Sequence, residues 1–331
     1  MDRLKCVLRF AVTALVLTLL ASQSLGCGNQ ATYPSKAIEL VVPWAAGGGT
    51  DVIARVAAKH LSKELGVPVN VSNKTGGNGI PGVLAVLEAP ADGYTMLFDA
   101  QGSSSIQAAT LKDLPYKIED RTFGPSLVSG PNTLAVNGKS PWNSLKDVAE
   151  AAKKNPESFT WVLGGGGVAI MDFTIMQFLQ ASGADISKTK SVEFSGMGPG
   201  LTAVAGGHVM LGGSSPGAVL PLSQSGDLKV LAVTGDKRVA VLPNVPSASE
   251  AGFPNIDLTT RFSISGPKDL PKEILDKWDA AAKKITQDAA FKEEMEKTGS
   301  YPLYASPKDT RDFFLGEVEN FKKLAASLNV S

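Results

Sequence analysis

The sequence predicts an α/β fold built on a mainly parallel sheet flanked by helices, and three observations carry that expectation. Short β-branched, apolar runs, beginning with residues 38–42, lead into glycine-rich turns and then into stretches whose apolar residues keep helical spacing. This strand, turn, helix order recurs along the chain, and alternating strands and helices wind into a parallel sheet by right-handed crossovers. Glycine is abundant, 34 in 331 residues, while charged residues make up only 19%. That balance suits many tight strand-to-helix turns better than a coiled coil or a disordered tail. The length allows two domains of ordinary size.

Residues 1–26 read as a signal peptide outside the fold. Arg3, Lys5 and Arg9 form a positive start, residues 10–21 are apolar but too short to span a bilayer, and Ser24-Leu25-Gly26 supplies the small residues that cleavage requires. Cys6 leaves with this segment, so Cys27 has no disulfide partner. A lone cysteine at the cut site, followed by Gly28-Asn29-Gln30, resembles a bacterial lipoprotein, with Cys27 the lipidated residue. The usual lipobox has Leu where Ser24 stands, which leaves ordinary cleavage as the alternative. Removing the signal turns an even balance of 32 basic and 32 acidic residues slightly acidic, so no basic surface points to nucleic acid.

The stretch from Leu40 to Arg55 organises the rest of the chain. Residues 38–42 form the first strand, Pro43 ends its ladder, and Gly47-Gly48-Gly49 turns the chain. Thr50 or Asp51 is the expected N-cap of a helix whose apolar positions are Ile53, Val56, Ala57 and Leu61. Strand, glycine loop and helix N-terminus together make an anion site, the plain alternative being a turn with no ligand. A P-loop is excluded because Thr50-Asp51 follows Gly49, and a dinucleotide fingerprint because Val52 stands where a third glycine belongs. Asp51 would repel a phosphate unless its side chain turned back into the cap, so a carboxylate is the expected anion. Residues 67–71 read as a second strand, 73–79 as a second glycine-rich turn, 80–87 as a helix and 94–98 as a third strand. Ligands in such sheets sit beyond the carboxyl ends of the strands. The loops at 44–50, 75–79 and 100–104 are therefore expected to share one edge. Ligand contacts are expected from Trp44, Ala45, Gly47, Gly48, Gly49 and Thr50, and from Gln101, Gly102 and Ser103.

Tyr33-Pro34-Ser35-Lys36, Val41-Val42-Pro43-Trp44-Ala45-Ala46-Gly47-Gly48-Gly49-Thr50-Asp51 and Ala91-Asp92-Gly93-Tyr94-Thr95 resemble the Bug-type solute receptors of tripartite tricarboxylate transporters. Leu114-Pro115-Tyr116, Leu231-Ala232-Val233-Thr234, Leu242-Pro243-Asn244-Val245-Pro246 and Glu250-Ala251-Gly252 recur in the same order, so the resemblance covers essentially the whole chain beyond the signal. It implies a two-lobed, periplasmic-binding-protein-like fold of type II, closing on a small carboxylate that is passed to integral membrane permease subunits. Lobe 1 would hold 33–132 and 259–331, lobe 2 133–258, with the cleft between them.

In the second half, residues 133–137 read as a strand crossing between lobes, and Ser144 caps a helix through Lys154 that Asn155-Pro156 ends. A strand at 159–163 runs into Gly164-Gly165-Gly166-Gly167 and a helix at 169–181, repeating the opening organisation. Gly165, Gly166, Gly167 and Val168 are thus expected to hold the anion from the other side, the alternative being a flexible turn. Against the family pattern, Ser195 takes a lysine slot, and Ser214, after a strand at 208–211, takes the place of an aspartate. Losing that carboxylate disfavours an amino-acid ligand. Arg261 replaces a tryptophan in the return crossover 258–267. There its guanidinium can bind a carboxylate in bidentate fashion beside an apolar wall at Phe262, the alternative being a surface arginine. From Pro271 onward the pattern is helical, through Ile274, Trp278, Ala281 and Ile285, then 291–295 and 310–324. These helices are expected to pack back on the first lobe.

Gly213-Ser214-Ser215-Pro216-Gly217 matches a nucleophile elbow, but that enzyme needs its histidine after the serine, and His60 and His208 both precede it. One cysteine beyond the signal and two distant histidines offer no metal spacing. No catalytic residue, metal or cofactor is expected. The expected function is an exported solute receptor, periplasmic or lipid-anchored on the outer face of the membrane. The alternative is a ligand sensor that signals to a membrane partner.

Overall fold

Strand β1, Ile38–Val42, lies at the heart of the larger sheet because its side chains leave little for water: Ile38, Leu40, Val41 and Val42 are fully buried. In the computed structural model, which describes residues 33–328, β1 pairs in parallel with β2 (Val69–Asn73) on one side and β3 (Thr95–Ala100) on the other. The signal segment 1–26 and Cys27 lie outside the described residues. From Lys36 onward the chain forms one compact unit. The crossover from β1 is the helix Gly49–Leu65, closed by Gly66 at φ 74°, where a residue without Cβ takes the left-handed turn freely. β2 starts later than the 67–71 expected, since Pro68 has no N–H to give the ladder. The next crossover, Ile80–Leu87, has the bounds expected.

The sheet has six strands in the order β10-β4-β9-β3-β1-β2, where β4 is Arg121–Pro131, β9 Thr259–Pro267 and β10 Tyr301–Ala305. The strands that open into the early loops are parallel. Antiparallel pairing enters with β4, β9 and β10, two of which carry the chain out of this sheet and back into it.

Residues between those crossings form two smaller pairs. β5 (Thr133–Asn137) runs antiparallel to β8 (Leu228–Val233), and β6 (Thr160–Leu163) parallel to β7 (Lys190–Glu193). The strand expected at 208–211 does not form. Gly207 at φ 77° and the His208 N–H bond to the Ala203 carbonyl keep that segment in the turn that ends the helix Met197–Ala205. Extended pairing begins only at Leu211 and Gly212, which bridge to Trp161 and Ala135. Ser144 caps the helix Leu145–Lys154 as expected, accepting the Asp147 N–H at 3.2 Å.

Among the C-terminal helices, Lys272–Gln287 buries Ile274, Trp278, Ala281 and Ile285 toward β4 and the helix Gly49–Leu65. The last helix, Pro307–Ser327, does more than pack back on the large sheet. Phe314 stacks on Phe123 of β4, with ring centroids 5.8 Å apart, while Phe321 meets Phe173 edge-to-face at 5.4 Å, on the helix Ile170–Ser182 beyond the crossings. Its apolar face is long enough to cover both groups of strands.

Candidate functional site

The loops of both strand groups enclose a cavity of about 60 Å³, room for a few water-sized groups. Four helices begin at its wall. Their N-caps are Gly48, Ala169, Gly196 and Ser215, opening the helices Gly49–Leu65, Ile170–Ser182, Met197–Ala205 and Pro216–Gln224, and all four line the cavity. At none of the four does the N-cap residue's own side chain accept a hydrogen bond from the helix, although Asp172 accepts the Ala169 N–H and Ser214 the Gly49 N–H. Each N-terminus carries roughly half a positive charge and donors without an intrahelical partner. These ends converge on the cavity, and no Lys, Arg or His is among the described residues that line it.

The glycine loops themselves are largely committed to internal partners. Asp51, at the third position of its helix, turns back as anticipated. Its Oδ2 accepts the Gly47 N–H at 3.0 Å, and Arg55 and Asn73 also bind it. The cap lies earlier than Thr50 or Asp51, at Gly48, because the helix starts at Gly49. Burial alone would raise the Asp51 carboxyl, but hydrogen bonds from Arg55, Gly47 and Asn73 bring it below its ordinary value. Asp172 repeats the device across the cavity. Fully buried, it accepts the N–H groups of Gly164 at 2.8 Å, Gly167 at 3.1 Å and Ala169 at 3.2 Å. Burial pushes its carboxyl up to about 7, against the pull of those bonds. The Gly49 N–H, finally, is donated to Ser214 Oγ at 3.0 Å.

Of the expected site residues, the structure brings Trp44, Gly48, Gly49, Thr50, Gly102 and Ser214 into the cavity wall. Gly165, Gly166 and Ser195 line a neighbouring cavity that shares Trp44. Gly47 and Gly167 bind the two aspartates, and the Ala45 carbonyl accepts the Gly48 N–H. Val168 lies behind the wall, its carbonyl against Gly102. Gln101 bridges strands instead, its amide giving one bond to the Thr259 carbonyl and accepting another from the Arg261 N–H. Ser103 donates to Asp99, which is also bound by Arg121 in a fully buried ion pair at 2.8 Å, an anchor for the loop that carries Gly102. Arg261 is not in the wall. Strand alternation turns Thr260 and Phe262 toward the cavity and stacks the Arg261 guanidinium 3.6 Å from the centroid of the Phe313 ring.

Other wall residues went unexpected: Ile53, Asn132, Met171, Met197, Thr260, Ser215 and Ser300. The available signal for Asn132 was a polar residue between two crossing strands, and for Thr260 its place at the polar start of β9. Ser300 has none, because the turn before β10 reaches the cavity only by tertiary packing.

The profile described as tripartite tricarboxylate transporter family receptor matches residues 53–330. Protein BugT of Bordetella pertussis is 30% identical over 88% of each chain. A protein from the TAR-I ttuE-ttuC' intergenic region of Agrobacterium vitis is 31% identical over 89% of this chain and 85% of its own. Among solved structures, the periplasmic binding protein BugD superposes with TM-score 0.84 at 28% identity, covering 90% of this chain and 99% of that one. An R. palustris protein solved with adipate gives TM-score 0.85 at 26% identity over the same shares.

Proposed function

The chain belongs to the tripartite tricarboxylate transporter receptor family, and on that premise we propose that it captures a small organic carboxylate outside the cytoplasm and hands it to membrane permease subunits. The observation that carries this reading is the convergence of four helix N-termini on one small cavity. Those dipole ends stabilise a carboxylate without a cationic side chain. The solved relative that holds adipate supports the same class of ligand.

The larger sheet with the C-terminal helices, 33–132 and 259–331, acts as one lobe, and 133–258 as the other. The chain crosses beside Asn132, whose N–H bonds Thr234 Oγ1 at 3.0 Å and whose amide reaches the Leu258 carbonyl at 3.3 Å. This clasp of neighbouring crossings is the hinge. A ligand that touches both lobes only when they are shut favours the shut form by that difference in affinity. Export through residues 1–26 brings the receptor to its permease, with Cys27 the candidate site for a lipid anchor.

A thermal-shift screen of purified protein against mono-, di- and tricarboxylates tests the reading. A ligand at a hundred times its dissociation constant adds about 2.7 kcal/mol of stability, a clear rise in melting temperature. A panel of acids that leaves the melting temperature unmoved overturns the proposal.

A further inference from the structure

Two serines of the cavity wall carry hydroxyls that have nothing to bind. Ser215 and Ser300 are 5% and 3% exposed, and neither Oγ has a hydrogen-bond partner. Each faces a glycine that leaves it space: Ser215 Oγ lies 2.9 Å from where a Cβ on Gly49 would stand, and Ser300 Oγ 2.5 Å from the same point on Gly130. Pro216 packs against Gly299, so the two serines flank a single contact. Ser214, by contrast, already accepts the Gly49 N–H.

We infer that the ligand is a monocarboxylate carrying a neutral oxygen, hydroxyl or carbonyl, on an otherwise apolar body, and that Ser215 and Ser300 receive that oxygen. This rests on the carboxylate-receptor reading and narrows it. A serine hydroxyl both donates and accepts, so it pairs with either kind of neutral oxygen. A second carboxylate is disfavoured because the described wall holds no cationic side chain and two like charges in so small a space repel. An ammonium is disfavoured because no Asp or Glu is among the described wall residues, and the helix ends repel positive charge. A wholly apolar tail would leave both hydroxyls dry and unpaired. Trp44, Ile53, Met171, Met197 and Phe262 supply the apolar surface for the rest of the ligand.

Calorimetric titration with a matched series tests this: butanoate, its 2-, 3- and 4-hydroxy derivatives, succinate and 4-aminobutanoate. At least one hydroxybutanoate is expected to bind about tenfold or more tighter than butanoate, with succinate and 4-aminobutanoate weaker than that acid. Ser215→Ala and Ser300→Ala each cut the hydroxyl preference, read as the ratio of hydroxybutanoate to butanoate affinity in the same variant, to about threefold or less. Neither hydroxyl has a protein partner and Ser215 makes no side-chain cap bond, so the unliganded variants keep the wild-type melting temperature or exceed it. Butanoate matching its hydroxy derivatives, a charged end group winning, or a preference that survives both substitutions overturns the inference. Binding of dicarboxylates alone defeats this substrate class and leaves the receptor reading standing. No binding by any carboxylate defeats both.

Discussion

Two aspartates decide what the glycine loops can do. Each sits three positions after an N-cap and folds back on the N–H groups that the loop would otherwise present, as the acid of a capping box does. On the proposed reading the anion therefore meets the helix ends rather than the loops. Asp51 was legible in the sequence because it interrupts a recognisable motif. Asp172 was not, since an acid at the third helical position is informative only once the start of the helix is known. Arg261 shows the same kind of limit: alternation along β9 is evident from sequence, but which face of the strand meets the cavity is not. For Asp172 the titration has a definite sign. Its carboxyl rises from an ordinary 3.8 to about 7 on folding, so between those values only the folded chain binds the proton. Stability therefore falls as pH rises from about 4 to 7 and then levels off. The lowered carboxyls of Asp51 and Glu39 act from their ordinary 3.8 and 4.5 downward, where stability is lost on acidification. Urea unfolding from pH 5 to 8 should show the decline in wild type and a flatter profile in Asp172→Asn. An equal slope in both would remove Asp172 as the source.

Among the elements, helices and strands bounded by proline, serine caps or glycine were readable almost to the residue, as in Ile80–Leu87, Thr133–Asn137 and Leu145–Lys154. The segment at 208–211 reads as a strand because a turn after a helix and a short apolar strand share a composition. How closely the loops approach one another across the cavity was invisible. A Cβ on Gly196 would stand 2.9 Å from the Ala45 nitrogen, and one on Gly198 would collide with the Ala46 carbonyl. Gly198→Ala tests that approach. Gly198 is the second residue of its helix, and the methyl meets the Ala46 carbonyl, backbone that cannot swing aside as a side chain would. The melting temperature should fall and ligand affinity should drop about tenfold. Unchanged affinity would mean that the loops need not meet for the ligand to bind.

At the scale of the whole molecule, the parallel core came from hydrophobic period and glycine placement alone. The mixed six-stranded sheet did not, because strand partners 160 or more residues apart, such as Leu97 and Ser265, leave no local trace. The last helix was visible as a helix, but its reach from Phe123 to Phe173 was not. Trp44 spans the molecule in a different way. Its ring touches the positions of Gly79, Gly102 and Gly165, loops contributed from both sides of the cavity, and no other tryptophan is among the described wall residues. When those loops part, water reaches this indole, and hydrated indole emits at longer wavelength. The receptor thus carries its own optical gauge: ligand should shift its fluorescence toward the blue, and Trp44→Phe should abolish the shift while the three remaining tryptophans glow unchanged.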